Sequence, residues 1–354
     1  MQDFIFGTEQ FTLSVPALIN VFILMALAFV VSILLTPLFT DFLYRNKIGK
    51  RIRDTGHDEK KAPIFFKLHK KKEKTPTMGG LLIWITVAVI TLLLNLDRAG
   101  TWLPLAVLVA TGVVGGIDDF MNVKGAGKHR GGLEFKYKII LYTVIAAVGA
   151  YWFAYKLDWI SRPMHIPAIG DFVIGWWYIP LFILVVVFSA QASNLTDGLD
   201  GLAGGVLATM YAAYTFIALT LGMTSLAAFC ATVLGAILAF LWFNIYPARF
   251  FMGDTGSMAL GMTIAVIAFL TNTLVIFAVI SLIFIIEALS VIIQLTSKKL
   301  RNGKKVFLSA PIHHHFQAKG WPETKVTQRF WLISALAANI GIILALIGRG
   351  DFLG

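Results

Sequence analysis

The feature that most constrains this sequence is a series of long stretches that contain no Asp, Glu, Lys or Arg. A transmembrane helix needs about 20 consecutive, mostly apolar residues. The chain is 58% hydrophobic and 14% charged, whereas soluble domains are roughly 45–50% apolar and about 25% charged. The sequence therefore predicts an all-α polytopic membrane protein and excludes a soluble enzyme, a disordered chain and a disulfide scaffold. The uncharged stretches are residues 10–40, 75–96, 99–117, 139–155, 172–196, 201–248, 255–286 and 330–348.

The two longest uncharged stretches are each predicted to divide into two helices. Residues 201–248 are expected to divide near 222–225, and residues 255–286 near 271–273. The last helix of this pair is predicted to continue past Glu287 to Ser297. We therefore expect ten transmembrane helices, which form a single integral membrane domain over residues 1–354.

Lys and Arg concentrate in a few segments, which predicts the orientation of the chain. Residues 45–76, 120–138, 249 and 298–329 together hold 26 of the 30 basic residues. Such residues favour cytoplasmic loops, and with ten alternating spans all four segments fall on one side. Both termini are then periplasmic. Five cytoplasmic loops are expected, at about 45–76, 118–138, 190–200, 245–255 and 298–329.

The composition gives little support to nucleic-acid binding, a disulfide or a thiolate metal site. The net charge of +11 follows from this topology, and no basic stretch resembles a nucleic-acid recognition fold, so no nucleic-acid partner is expected. The single Cys230 excludes a disulfide within the chain and a thiolate metal site. Outside the membrane, residues 156–178 are predicted to form a small hairpin.

Asp118 and Asp119 give the sharpest chemical signal. Both are predicted to follow the third span, at a helix C-terminus, where the partial negative charge disfavours acids. A compensating Mg²⁺ ion, or one ionised carboxylate beside a general base, would explain the pair. The alternative is two solvated acids paired with Lys124 or Lys128.

Further acids and a lysine are predicted at the starts of helices. Asp200 precedes the sixth span and Asp254 the eighth, where each is as well explained as an ordinary N-cap as by a ligand role. Asp197 would share a helical face with Asp200 if the turn continued. Lys74 opens the second span, where a helix N-terminus suits phosphate, although it could equally anchor the helix to lipid headgroups.

The run His313–His315 is internal and cannot be an expression tag. Three consecutive side chains cannot all face one point on a regular element, so a metal site is not favoured. One or two of them are expected to donate to phosphate or carry protons, and the alternative is that they are ordinary polar residues at the surface. Glu287 lies inside the ninth span, where ionisable groups are costly and usually functional, and it is expected to line a cleft reached from the cytoplasm.

Together these residues predict a polyphosphate site, compatible with Mg²⁺, at the cytoplasmic membrane surface. Metal ions there would neutralise phosphate charge and polarise the reacting phosphorus. The prediction is phosphoryl transfer to or from a lipid.

Six segments carry a family resemblance over nearly the whole chain. The chain resembles the phospho-N-acetylmuramoyl-pentapeptide transferases, within the polyprenyl-phosphate N-acetylhexosamine-1-phosphate transferase superfamily. The acidic motifs are shared by the superfamily, and the triple-histidine loop followed by Lys-Gly-Trp-Pro is specific to the muramoyl branch. The segments are KTPTMGG (74–80), IDD (117–119), NLTDGLDGLA (194–203), FLWFNIYPARFFMGDTGSMALG (240–261), EALSVIIQ (287–294) and APIHHHFQAKGWPETKV (310–326).

The resemblance implies a homodimer in a bacterial inner membrane. It implies Mg²⁺-dependent transfer of phospho-MurNAc-pentapeptide from UDP-MurNAc-pentapeptide to undecaprenyl phosphate, giving lipid I and UMP, the first membrane step of peptidoglycan synthesis. Asp254 is the expected Mg²⁺ ligand, Asp118 and Asp119 the catalytic acids, and His313 the essential histidine.

The remaining expected contacts line the nucleotide and phosphate pocket. Lys136 is an alternative to Lys138. Gln191 stands where the family more often has Asn, so an amide contact made by that Asn would have to come from Gln191, whose role stays open. The expected pocket residues are Lys74, Lys138, Asn194, Asp197, Asp200, Asn244, Phe251, Glu287, His314 and His315.

Two other functions fit part of the pattern. A related transferase for UDP-GlcNAc shares the acidic motifs but lacks the histidine loop. A transporter would place its substrate site near the midplane and show inverted repeats, whereas here the polar motifs lie in loops.

Overall fold

The computed structural model describes residues 14–46, 48–49, 75–97, 100–126, 132–161, 163–167 and 169–348, and most of these residues are helical. Lys74 lies outside the described residues, so its predicted role stays a prediction. The helices are α1 (Val15–Arg45), α2 (Gly80–Leu94), α3 (Trp102–Lys124), α4 (Phe135–Tyr151), α5 (Tyr178–Thr196), α6 (Leu202–Thr220), α7 (Thr224–Asn244), α8 (Asp254–Leu270), α9 (Leu274–Ile280), α10 (Leu282–Leu300), α11 (Ile312–Ala318) and α12 (Glu323–Ile347). A π-helical turn, Trp152–Lys156, follows α4, and a 3-10 turn, Gly175–Trp177, precedes α5.

Within the described ranges, seven helices are long and apolar enough to cross a membrane, or eight if α9 and α10 form one broken span. The apolar helices α2 and α8 have 15 and 17 residues and fall short of that length. The polytopic helical fold is therefore confirmed. The number ten stays a prediction.

The predicted breaks within the two longest uncharged stretches are confirmed. The chain leaves α6 at Thr220 and enters α7 at Thr224, and it leaves α8 at Leu270 and enters α9 at Leu274. The sequence did not predict a further bend of 77° between α9 and α10. At that bend the Ser281 hydroxyl donates to the carbonyl of Phe277, four residues earlier, over 2.6 Å, a contact that often bends helices.

Helix α8 lies at the centre of the molecule. Every residue from Thr255 to Leu270 is buried, while α3 and α5 pack along it. Outside this core, α1 packs on α7 and α12 packs on α6. Since α8 begins at Asp254, the fold presents this carboxylate at one end of its most enclosed helix.

The predicted hairpin in the segment 156–178 is confirmed and lies at the other end of α8. Strands β1 (Met164–Ile166) and β2 (Gly170–Phe172) pair antiparallel. The backbone N–H of His165 donates to Asn272 Oδ1 over 3.3 Å, and Asn272 follows the C-terminus of α8. A helix of 17 residues spans about 25 Å, so the hairpin and Asp254 lie at opposite ends of the molecule.

Candidate active site

Asp254 is held by residues from two other helices. The Lys138 ammonium, on the first turn of α4, lies between two carboxylates: it is 2.6 Å from Asp254 Oδ2 and contacts Asp118 Oδ2. Asn194, in the last turn of α5, donates to Asp254 Oδ1 over 2.8 Å. Gly253 occupies the N-cap position of α8, and Asp254 is the first residue of the helix. The alternative that Asp254 is an ordinary N-cap is therefore excluded.

Asp118 and Asp119 are buried and have different partners. Asp118 Oδ1 accepts the backbone N–H of Leu133 over 2.6 Å, and Asp119 Oδ2 accepts the backbone N–H of Thr255 over 3.0 Å. The two neighbouring acids therefore connect α3 to the loop before α4 and to the first turn of α8. Three carboxylates from two helices form one cluster, which we call the aspartate cluster (Asp118, Asp119 and Asp254).

The position of the acids on α3 corrects the sequence analysis. Because α3 continues to Lys124 and ends at Gly125, which has φ +67°, Asp118 lies within the helix rather than after it. Among the described residues Lys124 forms no ion pair with these acids; its ammonium lies 5.5 Å from the centre of the Phe120 ring. Lys128 lies outside the described residues. Of the two lysines considered for the site, Lys138 reaches it and Lys136 is exposed.

The segment before α2 packs directly on the loop before α8. Phe251 donates its backbone N–H to the carbonyl of Pro76 over 2.8 Å and accepts the N–H of Gly79 over 2.8 Å. Phe251 itself is half-buried. Two sequence motifs that are some 170 residues apart therefore meet at the aspartate cluster.

Gly253 allows the closest approach in this region. It has φ +76°, and a Cβ at this position would lie 2.3 Å from Asp119 Oδ2 and 2.9 Å from Thr77 Oγ1. Thr77 is buried, and its hydroxyl has no hydrogen-bond partner among the described residues. Thr77 is a candidate that the sequence analysis did not single out, although it lies inside the quoted motif.

Asp200 and Asn244 hold two loops together. Asn244 accepts the N–H of Gly201 over 3.0 Å and donates to the carbonyl of Phe250 over 2.9 Å. Asp200 Oδ2 accepts the N–H of Ala248 over 3.0 Å. These contacts fix the shape of the loop 245–250.

Asp197 directly follows α5. Its N–H donates to the carbonyls of Ser193 and Asn194 over 3.2 Å, and its side chain is half-buried. Because α5 ends at Thr196 and α6 begins at Leu202, Asp197 and Asp200 lie in a turn and do not share a helical face.

Glu287 and His313 form a fully buried pair. The two side chains are 0% exposed, and His313 Nδ1 lies 3.0 Å from Glu287 Oε2. His313 Nε2 and Glu287 Oε1 have no hydrogen-bond partner in the part of the chain that the structure describes. Glu287 therefore orients His313 and does not line an open cleft, which corrects the expectation for this residue.

The second and third histidines of α11 have other partners. His314 Nδ1 lies 2.9 Å from Gln317 Oε1, and His315 Nδ1 accepts the N–H of Leu308 over 3.1 Å. Burial and the nearby Lys319 charge lower the pKa of His315. As the sequence analysis predicted, the three histidines do not converge on one point.

The pair of Glu287 and His313 lies near the aspartate cluster. A Cβ on Gly198 would lie 2.2 Å from His313 Nε2, so the ring packs against this glycine. Gly198 comes four residues after Asn194, which binds Asp254, and four residues of chain span at most about 14 Å. The structure thus brings the predicted catalytic residues to one region of the molecule.

The aspartate cluster has the right chemistry for Mg²⁺, although its geometry is not that of a preformed metal site. Among the described residues, no group of three or more His, Cys, Asp or Glu side chains is arranged to hold a metal ion. Carboxylate oxygens are nevertheless the ligands that Mg²⁺ prefers, and oxygens of Asp118 and Asp254 already share one cation, the Lys138 ammonium. With all three aspartates ionised, one lysine leaves two negative charges for a divalent ion to balance.

Comparisons with known proteins indicate the family of the chain. A model described as glycosyl transferase family 4 matches residues 101–272, and the phospho-N-acetylmuramoyl-pentapeptide-transferase signature 1 matches residues 72–83. A phospho-N-acetylmuramoyl-pentapeptide-transferase of Chloroflexus aggregans is 40% identical, over 92% of this chain and 89% of the relative. One of Geobacillus thermodenitrificans is 41% identical over 91% of this chain and 97% of the relative.

Proposed function

This chain belongs to the phospho-N-acetylmuramoyl-pentapeptide transferase family, and on that premise we propose that it makes lipid I. It transfers phospho-MurNAc-pentapeptide from UDP-MurNAc-pentapeptide to undecaprenyl phosphate and releases UMP. The observation that carries this function is the similarity to transferases of that name over 92% of the chain. The contacts of Lys138 and Asn194 with Asp254 support it, because phosphoryl transfer depends on positioned charges.

The residues of the site have separate tasks in this reaction. Asp254 would hold Mg²⁺, with Asp118 as the second nearby carboxylate. When bound, the ion neutralises phosphate charge and polarises the reacting phosphorus. Lys138 lies where it can bind a phosphate oxygen, and Asp118 and Asp119 supply carboxylates that can accept the proton of the lipid phosphate.

His313 is the residue that donates to the substrate from α11. Glu287 binds its Nδ1 and so directs Nε2 toward the turn 197–201. In this arrangement Glu287 is a positioning residue, and the turn must shift slightly for Nε2 to reach a ligand. Asp200 and Asn244 serve by holding the loop 245–250 in place.

The membrane arrangement follows the same proposal. Seven long helices, the bent pair of α9 and α10, and the shorter α2 and α8 make ten spans, with both termini in the periplasm. The enzyme lies in the bacterial inner membrane as a homodimer, and the site opens to the cytoplasm.

The substrate is tested by a direct comparison. Purified protein in detergent is supplied with undecaprenyl phosphate and either UDP-MurNAc-pentapeptide or UDP-GlcNAc, and UMP release is followed. We expect release with the muramoyl substrate alone. Exclusive use of UDP-GlcNAc would assign the chain to the related transferases.

A further inference from the structure

Tyr142 is a buried polar residue beside the aspartate cluster to which the proposed mechanism gives no task. It lies on α4, four residues after Lys138, so the two side chains share one face of the helix. The side chain is 0% exposed. One turn earlier on the same helix face, Lys138 contacts Asp118 and Asp254, so the Tyr142 side chain lies near the cluster, within range of the charges of all three aspartates.

The hydroxyl of Tyr142 has no hydrogen-bond partner among the described residues. A buried donor without a partner costs free energy, and a phenylalanine of the same shape would avoid this cost. A ligand that brings an acceptor to the site would satisfy the hydroxyl. The Tyr142 hydroxyl is therefore a buried donor whose acceptor would come from a bound ligand.

We propose that the Tyr142 hydroxyl donates a hydrogen bond to a phosphoryl oxygen of the bound substrate. This inference rests on the proposed function, which brings two sources of such oxygens to the site: the diphosphate of the nucleotide sugar and the monophosphate of the lipid. Lys138 approaches the same oxygens from one helical turn earlier. Tyr142 is therefore a substrate-binding residue that the motifs do not contain.

The chain offers a matched control in Tyr178. This tyrosine is also buried, and its hydroxyl also has no partner in the described part of the chain. It packs in an aromatic cluster with Phe153 and Phe269, near the C-terminal end of α8 and far from Asp254. Removal of its hydroxyl changes the same chemistry without touching the site.

The experiment compares the full-length wild type, Tyr142→Phe and Tyr178→Phe in detergent. Steady-state rates are measured while each substrate is varied, and heat unfolding is followed with and without inorganic pyrophosphate. A hydrogen bond to a charged group predicts that kcat/KM falls about 10- to 100-fold in Tyr142→Phe and stays within about twofold in Tyr178→Phe. Without ligand, Tyr142→Phe should unfold at the same or a higher temperature than the wild type.

The kinetic split identifies the oxygen. A higher KM for the nucleotide sugar assigns the contact to the diphosphate. A higher KM for the lipid assigns it to the monophosphate. A lower kcat assigns it to an oxygen that gains charge during transfer. Unchanged kinetics in Tyr142→Phe would overturn the inference. So would failure of this variant to fold, since the hydroxyl would then have a structural task.

The pyrophosphate measurement separates this inference from the proposed function. If the wild type does not turn over the muramoyl substrate, the proposed function fails, but pyrophosphate can still bind. A smaller stabilisation by pyrophosphate in Tyr142→Phe than in Tyr178→Phe would then support the contact. Equal stabilisation in both variants would overturn it.

Discussion

At the scale of single residues, the main result is that Lys138 bridges two carboxylates. Its ammonium joins Asp118 and Asp254, and all three side chains are at most 16% exposed. Ion pairs with so little exposure are costly to break, because the remaining charges lose their partner away from water. Lys138 is therefore expected to support both the fold of the site and its chemistry.

The first prediction concerns this lysine. We expect Lys138→Gln to lower the free energy of unfolding by about 3 kcal/mol. We also expect it to lower the turnover rate at least about 100-fold, because phosphate and both carboxylates lose a charge partner. Heat unfolding and UMP release measure the two effects. Lys136→Gln is the matched control, since Lys136 lies two residues away and is exposed. Equal losses in both variants would contradict the bridge.

The second prediction concerns the proposed metal ligand. Asp254→Asn keeps the shape of the side chain but removes its charge, so we expect loss of turnover and loss of stabilisation by added Mg²⁺ in heat unfolding. Asp171→Asn is the control, because Asp171 binds His165 in the hairpin at the far end of α8. Near-normal turnover of Asp254→Asn would remove this residue from the reaction.

At the scale of elements, the turn between α5 and α6 sets the position of His313. The turn places Gly198 against Nε2 of the histidine, whose Nδ1 is fixed by Glu287. No side chain fits between the turn and the ring. The length of the turn and its glycine therefore determine how close the histidine comes to the aspartate cluster.

The third prediction follows from this contact. In Gly198→Ala the new Cβ would lie 2.2 Å from His313 Nε2, so the ring or the turn must move, and we expect turnover to fall at least about tenfold. Gly149→Ala is the control, because Gly149 lies in α4 away from the site. Its new Cβ would lie 3.3 Å from the Phe182 ring. Wild-type rates in Gly198→Ala would show that the ring can move aside freely.

The elements also show how far sequence reasoning extends. The breaks near residues 222 and 272 were predictable because the polar and glycine residues that end each helix are local. The bend at Ser281 was not predictable, because a single serine in an otherwise apolar stretch does not indicate bending. Asp200 and Asn244 were singled out from the sequence as unusual polar residues, but their backbone partners could not be read from it, since these partners lie up to 48 residues away.

At the scale of the whole molecule, α8 separates two chemically different ends. The aspartate cluster lies at its N-terminus, and the hairpin of β1 and β2 docks beyond its C-terminus through Asn272. The basic loop 298–311 belongs to the first end, because Leu308 binds His315. Since Lys and Arg favour the cytoplasm, this end is expected to face inward and the hairpin outward.

The fourth prediction tests that orientation with single cysteines. Cys230 is 0% exposed, so the wild-type chain should not react with a membrane-impermeant maleimide and serves as the control. Ser161→Cys lies beside the hairpin and Lys305→Cys in the basic loop, and both positions are exposed. We expect Ser161→Cys to react in intact cells and Lys305→Cys only after permeabilisation. The reverse labelling pattern would show that the chain has the opposite orientation. If both variants reacted in intact cells, the site and the hairpin would not lie on opposite sides of the membrane.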